Sequence, residues 1–242
     1  MAGLRLLPLF LSLRAAIRAK VTASRIGANT RERNANTRER NELLAAGART
    51  YFDLACRLIA PARPQLVTVG GLSGTGKTTL ARGFAPALMP APGAVLLRSD
   101  VERKALFGIA ETAALPPQAY AREVTVRVYE LLRDKARRVL SAGHSVVVDA
   151  VFAHPQERQL FGDLASECAV RFTGLFLIAG LSARIRRVES RRADASDAGQ
   201  RVVQTQESYD LGALEWAKID ASGTAETTLA RARAALGIGK SP

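Results

Sequence analysis

The sequence predicts an α/β fold in which helices cover both faces of a parallel sheet. From residue 65 onward, short apolar segments alternate with helical ones, and a glycine-rich loop separates the first strand from the first helix. Strands joined by helical crossovers run parallel and are buried on both faces. The predicted strands are QLVTV, AVLLR, SVVVDA, RFTGLFLIA and a short one near WAKID. Ligands bind at the carboxyl ends of such strands, so the residues that follow each strand are the informative ones.

The loop after the first strand is typical of phosphate binding. It reads GLSGTGKT, which fits GxxxxGK[ST] between a strand and a helix. Its glycines allow main-chain N–H groups to surround phosphate oxygens, and the start of the helix adds a positive field. We expect Lys77 to contact the β- and γ-phosphates, Thr78 to bind Mg²⁺ and Thr79 to assist at the α-phosphate. The predicted cofactors are ATP and Mg²⁺, and the predicted nucleotide-binding residues are Gly71, Leu72, Ser73, Gly74, Thr75, Gly76, Lys77, Thr78 and Thr79.

After the second strand comes LLRSDVERKALFG, which contains a carboxylate and an arginine one helical turn apart. Asp100 either caps the following helix or accepts the proton of an acceptor hydroxyl group, and the two roles are compatible. Its place at a strand end favours the catalytic role, in contact with substrate. We predict that Arg103 binds an anionic part of that substrate.

The third strand ends in VVVDAVFAHPQER. Asp149 is expected to hold the water shell of Mg²⁺. Motor ATPases commonly place a glutamate directly after this aspartate to activate water, whereas this chain has Ala150. This difference favours transfer of phosphate to a bound hydroxyl group over hydrolysis. Arg158 is expected either to contact substrate or to lie solvated on a helix.

The segment after the fourth strand, LSARIRRVESRRADASDAGQR, is rich in arginine. Arg184, Arg187 and Arg191 share one helical face. This helix is either solvated or a lid whose arginines neutralise the transferring phosphoryl group, with ADASDAG as its hinge. We predict Arg187 and Arg191 as the acting arginines, beside Lys77 and Asp100. An adenine ring is expected at the turn formed by residues 220–223.

The part before residue 65 predicts helices and a linker. Leu9, Leu13, Ile17 and Val21 recur every four residues, as on one face of a helix. The unit ANTRERN then occurs twice in tandem and offers no apolar seam to bury. The predicted organisation is a helix at residues 1–27, a duplicated polar linker at 28–41, a helix at 42–60 and the α/β domain at 65–242.

Charge and composition indicate which partners and which location to expect. The net charge is +13, but charge alone is weak support for nucleic acid, and we do not expect nucleic acid as the partner. No run of about 18 apolar residues occurs, so no membrane span is expected. The basic N-terminus shares features with organellar transit peptides. The two cysteines lack metal-binding or disulfide spacing and suit a reducing compartment, so the expected location is the cytoplasm.

Taken together, GLSGTGKTTLA, LRSDVERKALFG, VVVDAVF and the arginine-rich segment resemble the P-loop kinases of the nucleoside/gluconate/polynucleotide kinase type. The resemblance covers about residues 65–236. It implies a P-loop NTPase fold with a five-stranded parallel sheet in the order 2-3-1-4-5, preceded by a helical extension. It also implies transfer of the γ-phosphoryl group of Mg-ATP to a hydroxyl group.

The chain resembles in particular the C-terminal domain of bacterial two-domain proteins, often described as AAA-family ATPases. In those proteins a domain similar to aminoglycoside phosphotransferases comes first, and PLFLSLRAAIRAKV resembles its last helix. The resemblance thus implies a phosphotransferase-like partner domain. This chain has only two histidines and no HxD loop, so no aminoglycoside-phosphorylating domain is expected within it.

Three functions remain open at the level of sequence. The first, which we favour, is a kinase acting on a small-molecule acceptor. The second is a kinase for the 5′-hydroxyl group of a nucleic acid, with Arg103 and Arg158 binding the strand. The third is an ATP-binding or ATPase module that regulates a partner domain. The motifs do not name the acceptor.

Overall fold

The computed structural model describes residues 2–26, 35–60, 62–190, 196–197 and 199–239. The chain divides into two compact units, which are described separately. One consists of residues 1–62 with 90–92, and the other of residues 63–89 with 93–242.

The first unit is a pair of helices, α1 (Leu7–Ser24) and α2 (Ala35–Ile59), with a 3-10 turn before α1. Its core is small: Ala15, Ala55 and Leu58 are buried together, and the Ser12 hydroxyl donates to the Ala55 carbonyl oxygen at 2.9 Å. Small side chains therefore let the two helices approach closely.

Helix α2 begins at Ala35, seven residues before the boundary predicted at residue 42. It therefore includes the second copy of ANTRERN, whereas the first copy, residues 28–34, lies outside the described residues. Alanine, arginine and glutamate favour helix without burial, and Arg38 pairs with Glu42 one turn later at 3.3 Å. A polar heptad can thus extend a helix that is packed elsewhere.

The second unit contains a five-stranded sheet in the order β2-β3-β1-β4-β5, with every neighbouring pair parallel. The predicted fold and strand order are therefore confirmed. The strands are β1 (Gln65–Gly71), β2 (Val95–Arg98), β3 (Val146–Asp149), β4 (Arg171–Ile178) and β5 (Ala217–Asp220).

The helices of this unit fall between the strands as expected. They are α3 (Lys77–Phe84), α4 (Ser99–Leu106), α5 (Arg122–Ser141), α6 (Pro155–Glu167), α7 (Leu181–Glu189), α8 (Gln200–Thr205) and α9 (Ala225–Leu236). Short 3-10 turns occupy Ala85–Ala87, Pro117–Tyr120 and Gln206–Ser208. Helix α5 ends at Ser141, and Gly143 follows with a φ of +85°, the left-handed conformation predicted for this position.

Both faces of the sheet are covered. On one face, Val67, Val147 and Leu175 pack against Phe84 of α3 and Leu236 of α9. The residues that alternate with them along the strands are also fully buried, and α5 and α6 contact β1. The central strands are therefore held rigidly, with their carboxyl ends at one edge. None of the helices in the described part of the chain combines the length and the apolar composition that crossing a bilayer requires.

Candidate active site

The loop between β1 and α3 is shaped by two glycines that no other residue could replace without strain. Gly71 has a φ of +139°, and a Cβ atom there would lie 2.8 Å from the Leu177 carbonyl oxygen. Gly74 has a φ of +85°, and its Cβ atom would lie 2.5 Å from the carbonyl oxygen of Arg184. The loop thus lies directly against the end of β4 and the first turn of α7.

Helix α3 starts at the end of this loop. The first bond within the helix runs from the Leu80 N–H to the Gly76 carbonyl oxygen, at 3.0 Å. The earlier N–H groups, of Lys77, Thr78 and Thr79, precede that bond and form the end of the helix that attracts anions. The Lys77 Nζ donates to the Leu72 carbonyl oxygen at 3.3 Å, so the ammonium group is folded over its own loop.

Asp149, at the end of β3, joins this loop through Thr78. The Thr78 hydroxyl donates to Asp149 Oδ2 at 2.5 Å, and the Arg98 Nε lies 3.7 Å from the same oxygen. Asp149 is buried, and burial raises the pKa of its carboxyl group, whereas Lys77 and the hydrogen bond from Thr78 lower it. The two residues expected to bind the metal are therefore in direct contact.

These oxygen atoms fit Mg²⁺. This ion keeps several waters and takes one or two protein oxygens together with phosphate oxygens, and a buried carboxylate beside a hydroxyl supplies that set. Among the described residues, no group of three or more His, Cys, Asp or Glu side chains is arranged to hold a metal ion. A dedicated all-protein metal cage is therefore not part of this site as described.

Asp100 lies beside this centre but does not cap its helix. The cap position of α4 is Arg98, so Asp100 is the second residue of the helix, and the interpretation as an N-cap is wrong. Arg98 pairs in register with Asp149 on the neighbouring strand. The Asp100 carboxylate is close enough to raise the pKa values of Asp149 and of Tyr120. It is half-buried.

Arg103, one turn later, is buried and forms hydrogen bonds with two neighbouring segments. Its guanidinium donates to the Ala119 carbonyl oxygen at 2.6 Å and to the Thr125 hydroxyl at 3.3 Å. It also lies over the Tyr120 ring, 5.2 Å from the centroid. These contacts fix the position of the guanidinium on the side of the site that carries Asp100.

Asp197, which the sequence analysis placed only in a hinge, connects the segments around Arg103 by hydrogen bonds. Asp197 accepts from the Lys104 ammonium at 2.8 Å, the Leu115 N–H at 3.0 Å and the Tyr120 hydroxyl at 3.0 Å. Lys104 is fully buried and also donates to the Glu111 carbonyl oxygen. Lys104 and Asp197 are 93 residues apart, so no local pattern indicates their pairing.

Arg158 has neither of the roles predicted for it. It is buried, and its guanidinium donates at 2.5–2.9 Å to four carbonyl oxygens, those of Phe152, Ala153, Leu211 and Ala213. It therefore joins the loop after β3 to the segment before β5 instead of facing solvent or substrate. Burial lowers its pKa. The sequence gives no sign of these acceptors, since two of them lie more than 50 residues away.

The arginines of α7 divide into different environments. Arg184 is buried, and its Nε donates to the Ser73 carbonyl oxygen at 2.9 Å. Arg187 is half-buried and donates to the Gly223 carbonyl oxygen at 2.9 Å, in the turn predicted to carry adenine. Arg191 lies outside the described residues. Gln206, which the sequence analysis did not single out, accepts from the Ser73 N–H at 2.6 Å.

Comparison with known proteins agrees with this geometry. Residues 66–209 match the model of a family described as AAA domain. Two curated relatives, from Mycobacterium tuberculosis (strain ATCC 25618 / H37Rv) and Mycobacterium bovis, carry the name uncharacterized protein. Each is 29% identical over 231 residues, which is 92% of this chain and 43% of the relative. The chain therefore spans less than half of the length of these relatives.

Solved structures of kinases share the fold. A sugar kinase from Janibacter sp. HTCC2649 superposes with a TM-score of 0.55 at 21% identity, over 73% of this chain and 96% of that one. An APS kinase from Mycobacterium tuberculosis, in complex with AMPPNP and APS, gives 0.56 at 18% identity, over 73% and 99%. A gluconokinase from Sinorhizobium meliloti 1021 gives 0.51 at 19%, over 73% and 94%.

Proposed function

Since the chain belongs to the AAA domain family and has the fold of P-loop kinases, we propose that it is an ATP-dependent kinase that phosphorylates a hydroxyl group of a small molecule. The single observation that carries this proposal is the position of Asp100. It follows the end of β2 by two residues, and its charge acts on Asp149, which is in contact with the phosphate loop through Thr78.

On the donor side, main-chain N–H groups of the loop at residues 71–79 and the Lys77 ammonium bind the phosphates of ATP. Thr78 and Asp149 hold Mg²⁺, which when bound compensates the charge of the phosphate oxygens. Arg187, and with it Arg191, neutralises the phosphoryl group during transfer. These assignments rest on the contacts between Thr78 and Asp149 and on the position of Lys77 over its loop.

On the acceptor side, Asp100 accepts the proton of the attacking hydroxyl group, and Arg103 binds an anionic part of the same molecule. Ala150 is fully buried and has no group that could orient water, which favours a bound hydroxyl over hydrolysis. The kinases with the same fold are named for small acceptors, a sugar and APS among them, and this supports a small-molecule substrate. We further propose a cytoplasmic location, because both cysteines are free thiols.

An acceptor screen with isotopically labelled ATP, read by mass spectrometry, tests the proposal. Sugars, sugar acids, nucleosides and oligonucleotides with a 5′-hydroxyl group are offered separately. We expect label on one class of small molecule, and we expect Lys77→Ala to abolish the transfer. Label in inorganic phosphate alone would indicate an ATPase module, and label on oligonucleotides a nucleic-acid kinase. Either result would overturn the proposal.

We also propose that a phosphotransferase-like domain packs on α1. Leu9, Leu13, Ile17 and Val21 are all more than half exposed on the side of α1 opposite its contact with α2. The curated relatives have more than half of their length outside the match, which is enough for a further domain. Leu13→Asp with Ile17→Asp should then abolish binding of that part of the M. tuberculosis relative in a pull-down assay. Unchanged binding would contradict this proposal.

A further inference from the structure

Ser73 is the third residue of the phosphate loop, and both of its main-chain polar groups are bound by side chains from a distant segment. Its N–H donates to Gln206 Oε1 at 2.6 Å, and its carbonyl oxygen accepts from Arg184 Nε at 2.9 Å. All three residues are buried, with exposures of 7%, 5% and 2% for Ser73, Gln206 and Arg184. Gln206 is 133 residues from Ser73, and Arg184 is 111 residues from it.

The Arg184 side chain is itself held in place, and Gln206 is buried in the turn beside it. Arg184 forms an ion pair with Glu207 and donates to the Val203 carbonyl oxygen at 3.3 Å. Its main chain lies against Gly74, where even a Cβ atom would collide with it. The bonds to Ser73 therefore come from a braced support, made by α7 and the turn Gln206–Ser208, and not from mobile surface side chains.

A glycine-rich loop has little intrinsic preference for one conformation, so its affinity for an anion depends on how well its N–H groups are arranged in advance. The Ser73 N–H is already bound to Gln206. The Thr75 N–H likewise donates within the loop, to the Leu72 carbonyl oxygen at 3.3 Å. A phosphate would therefore be bound by other N–H groups that follow Ser73 in the loop and at the start of α3. Their direction depends on the orientation of the Ser73 peptide groups, since each follows that residue along the chain.

We propose that Gln206 and Arg184 are positioning residues for ATP binding. Their hydrogen bonds to the main chain of Ser73 hold the phosphate loop in its anion-binding conformation. ATP affinity thereby depends on α7 and on the turn that begins at Gln206. This inference rests on the proposed nucleotide site, but not on the identity of the acceptor. Neither residue contacts the phosphates in this role, because both act through the main chain of the loop.

The test is ATP binding by isothermal titration calorimetry in Gln206→Met and Arg184→Lys. Each variant keeps much of the side-chain volume and removes or displaces one bond to Ser73. We expect ATP affinity to fall by about tenfold in each, because a loop that has lost one of these two bonds spends less of its time in the anion-binding conformation. Gln204→Met and Arg186→Lys, at exposed positions of the same segment, are the matched controls and should bind like the wild type.

Two further measurements separate positioning from a structural role. Binding is measured well below the unfolding midpoint of every variant, with folding verified by circular dichroism, so that a loss of stability alone leaves the affinity unchanged. The double variant should lose less than the sum of the two single losses, because both side chains act on one residue. Additive losses of ATP affinity would contradict the proposal that both side chains act through Ser73.

The outcomes also separate this inference from the proposed function. Affinities within about twofold of the wild type in both single variants would overturn the positioning role, while the kinase proposal would stand. If the wild type binds ATP but transfers phosphate only to water, the kinase proposal fails and the positioning role is still decided by the binding data. If the wild type does not bind ATP at all, both are wrong.

Discussion

The two sides of the candidate site are assembled in different ways. The donor side is formed by one continuous stretch, residues 71–79, with Asp149 as its main addition. The acceptor side brings together Asp100 and Arg103 from α4, Tyr120 from a 3-10 turn, and Asp197 from a segment far along the chain. The proposed donor side presents main-chain N–H groups of that stretch, which side chains from distant segments hold in place. The proposed acceptor side presents side chains that the fold itself brings together.

This difference has a physical consequence. Main-chain N–H groups recognise any phosphate, so the donor side is general and its sequence pattern is short. Side chains brought together by the fold can vary independently, so the acceptor side is where specificity for one substrate can arise. Substitutions should therefore perturb the two sides separately.

Asp100→Asn should give the largest difference between its effect on phosphate transfer, which needs the acceptor side, and its effect on ATP binding, which needs the donor side. Removing the carboxylate while keeping its size should reduce phosphate transfer to the acceptor by roughly 10²–10⁴-fold, the usual range for losing a general base. ATP binding should remain, because the loop and Thr78 are unchanged. Steady-state rates and ATP titrations on the same preparation provide the measurement. Loss of ATP binding would place Asp100 in the metal site, and near-normal transfer would leave it without a catalytic role.

The same contrast explains how much the sequence could predict. The strand order, the phosphate loop and the neighbouring positions of Thr78 and Asp149 follow from motifs that occupy strand ends, so the topology alone brings them together. The capping role of Asp100 was wrong by two positions, because α4 starts at Ser99, directly after the strand. Arg158, Asp197 and Gln206 escaped correct assignment because each has partners that are distant in sequence. Examples are Leu211 for Arg158 at 53 residues, Leu115 for Asp197 at 82 and Ser73 for Gln206 at 133. Many of these partners are main-chain groups, which any sequence supplies.

Arg158→Met should cause the largest loss of stability. Four carbonyl oxygens would lose their donor in a buried place, and we expect the free energy of unfolding to fall by about 3 kcal/mol. Chemical unfolding can be followed through the fluorescence of Trp216, whose ring lies 4.9 Å from that of Phe152. Arg127→Met, at an exposed position of α5, is the matched control. A loss below about 0.5 kcal/mol would show that these bonds are replaced by water.

Asp197→Asn should weaken the acceptor side with a characteristic dependence on pH. Burial raises the pKa of Asp197, but hydrogen bonds from Lys104, Leu115 and Tyr120 outweigh it and hold the pKa below its usual value of 3.8. A lowered pKa stabilises the folded state above the unfolded pKa, and this contribution is lost as the pH falls through the folded value. We therefore expect a loss of about 2 kcal/mol near neutral pH, where Lys104 loses a charged partner.

The difference between Asp197→Asn and the wild type should shrink as the pH falls below about 4. There the unfolded wild-type chain takes up the proton first, and the folded carboxylate follows at lower pH. Urea unfolding at a series of pH values measures it, with Asp134→Asn as a control at an exposed position. In addition, the KM for the acceptor should rise in Asp197→Asn while the Kd for ATP stays constant. A constant stability difference across the whole pH range would exclude the charge of Asp197 as its cause.

The smallest effect on stability and on ATP affinity is expected from shortening the tandem repeat of ANTRERN. Deleting one copy of ANTRERN leaves an identical heptad directly before Glu42, so the local sequence that starts α2 is preserved. None of the buried residues described in the two helices of the first unit belongs to the repeat; they are Ser12, Ala15, Ala19, Ala55 and Leu58. The pair of Arg38 and Glu42 is exposed and worth at most about 0.5 kcal/mol. The melting temperature and the ATP affinity should therefore both stay within error of the values for the chain with both copies. A drop of several degrees in the melting temperature would contradict this prediction, because it would mean that the repeat buries surface against another part of the protein.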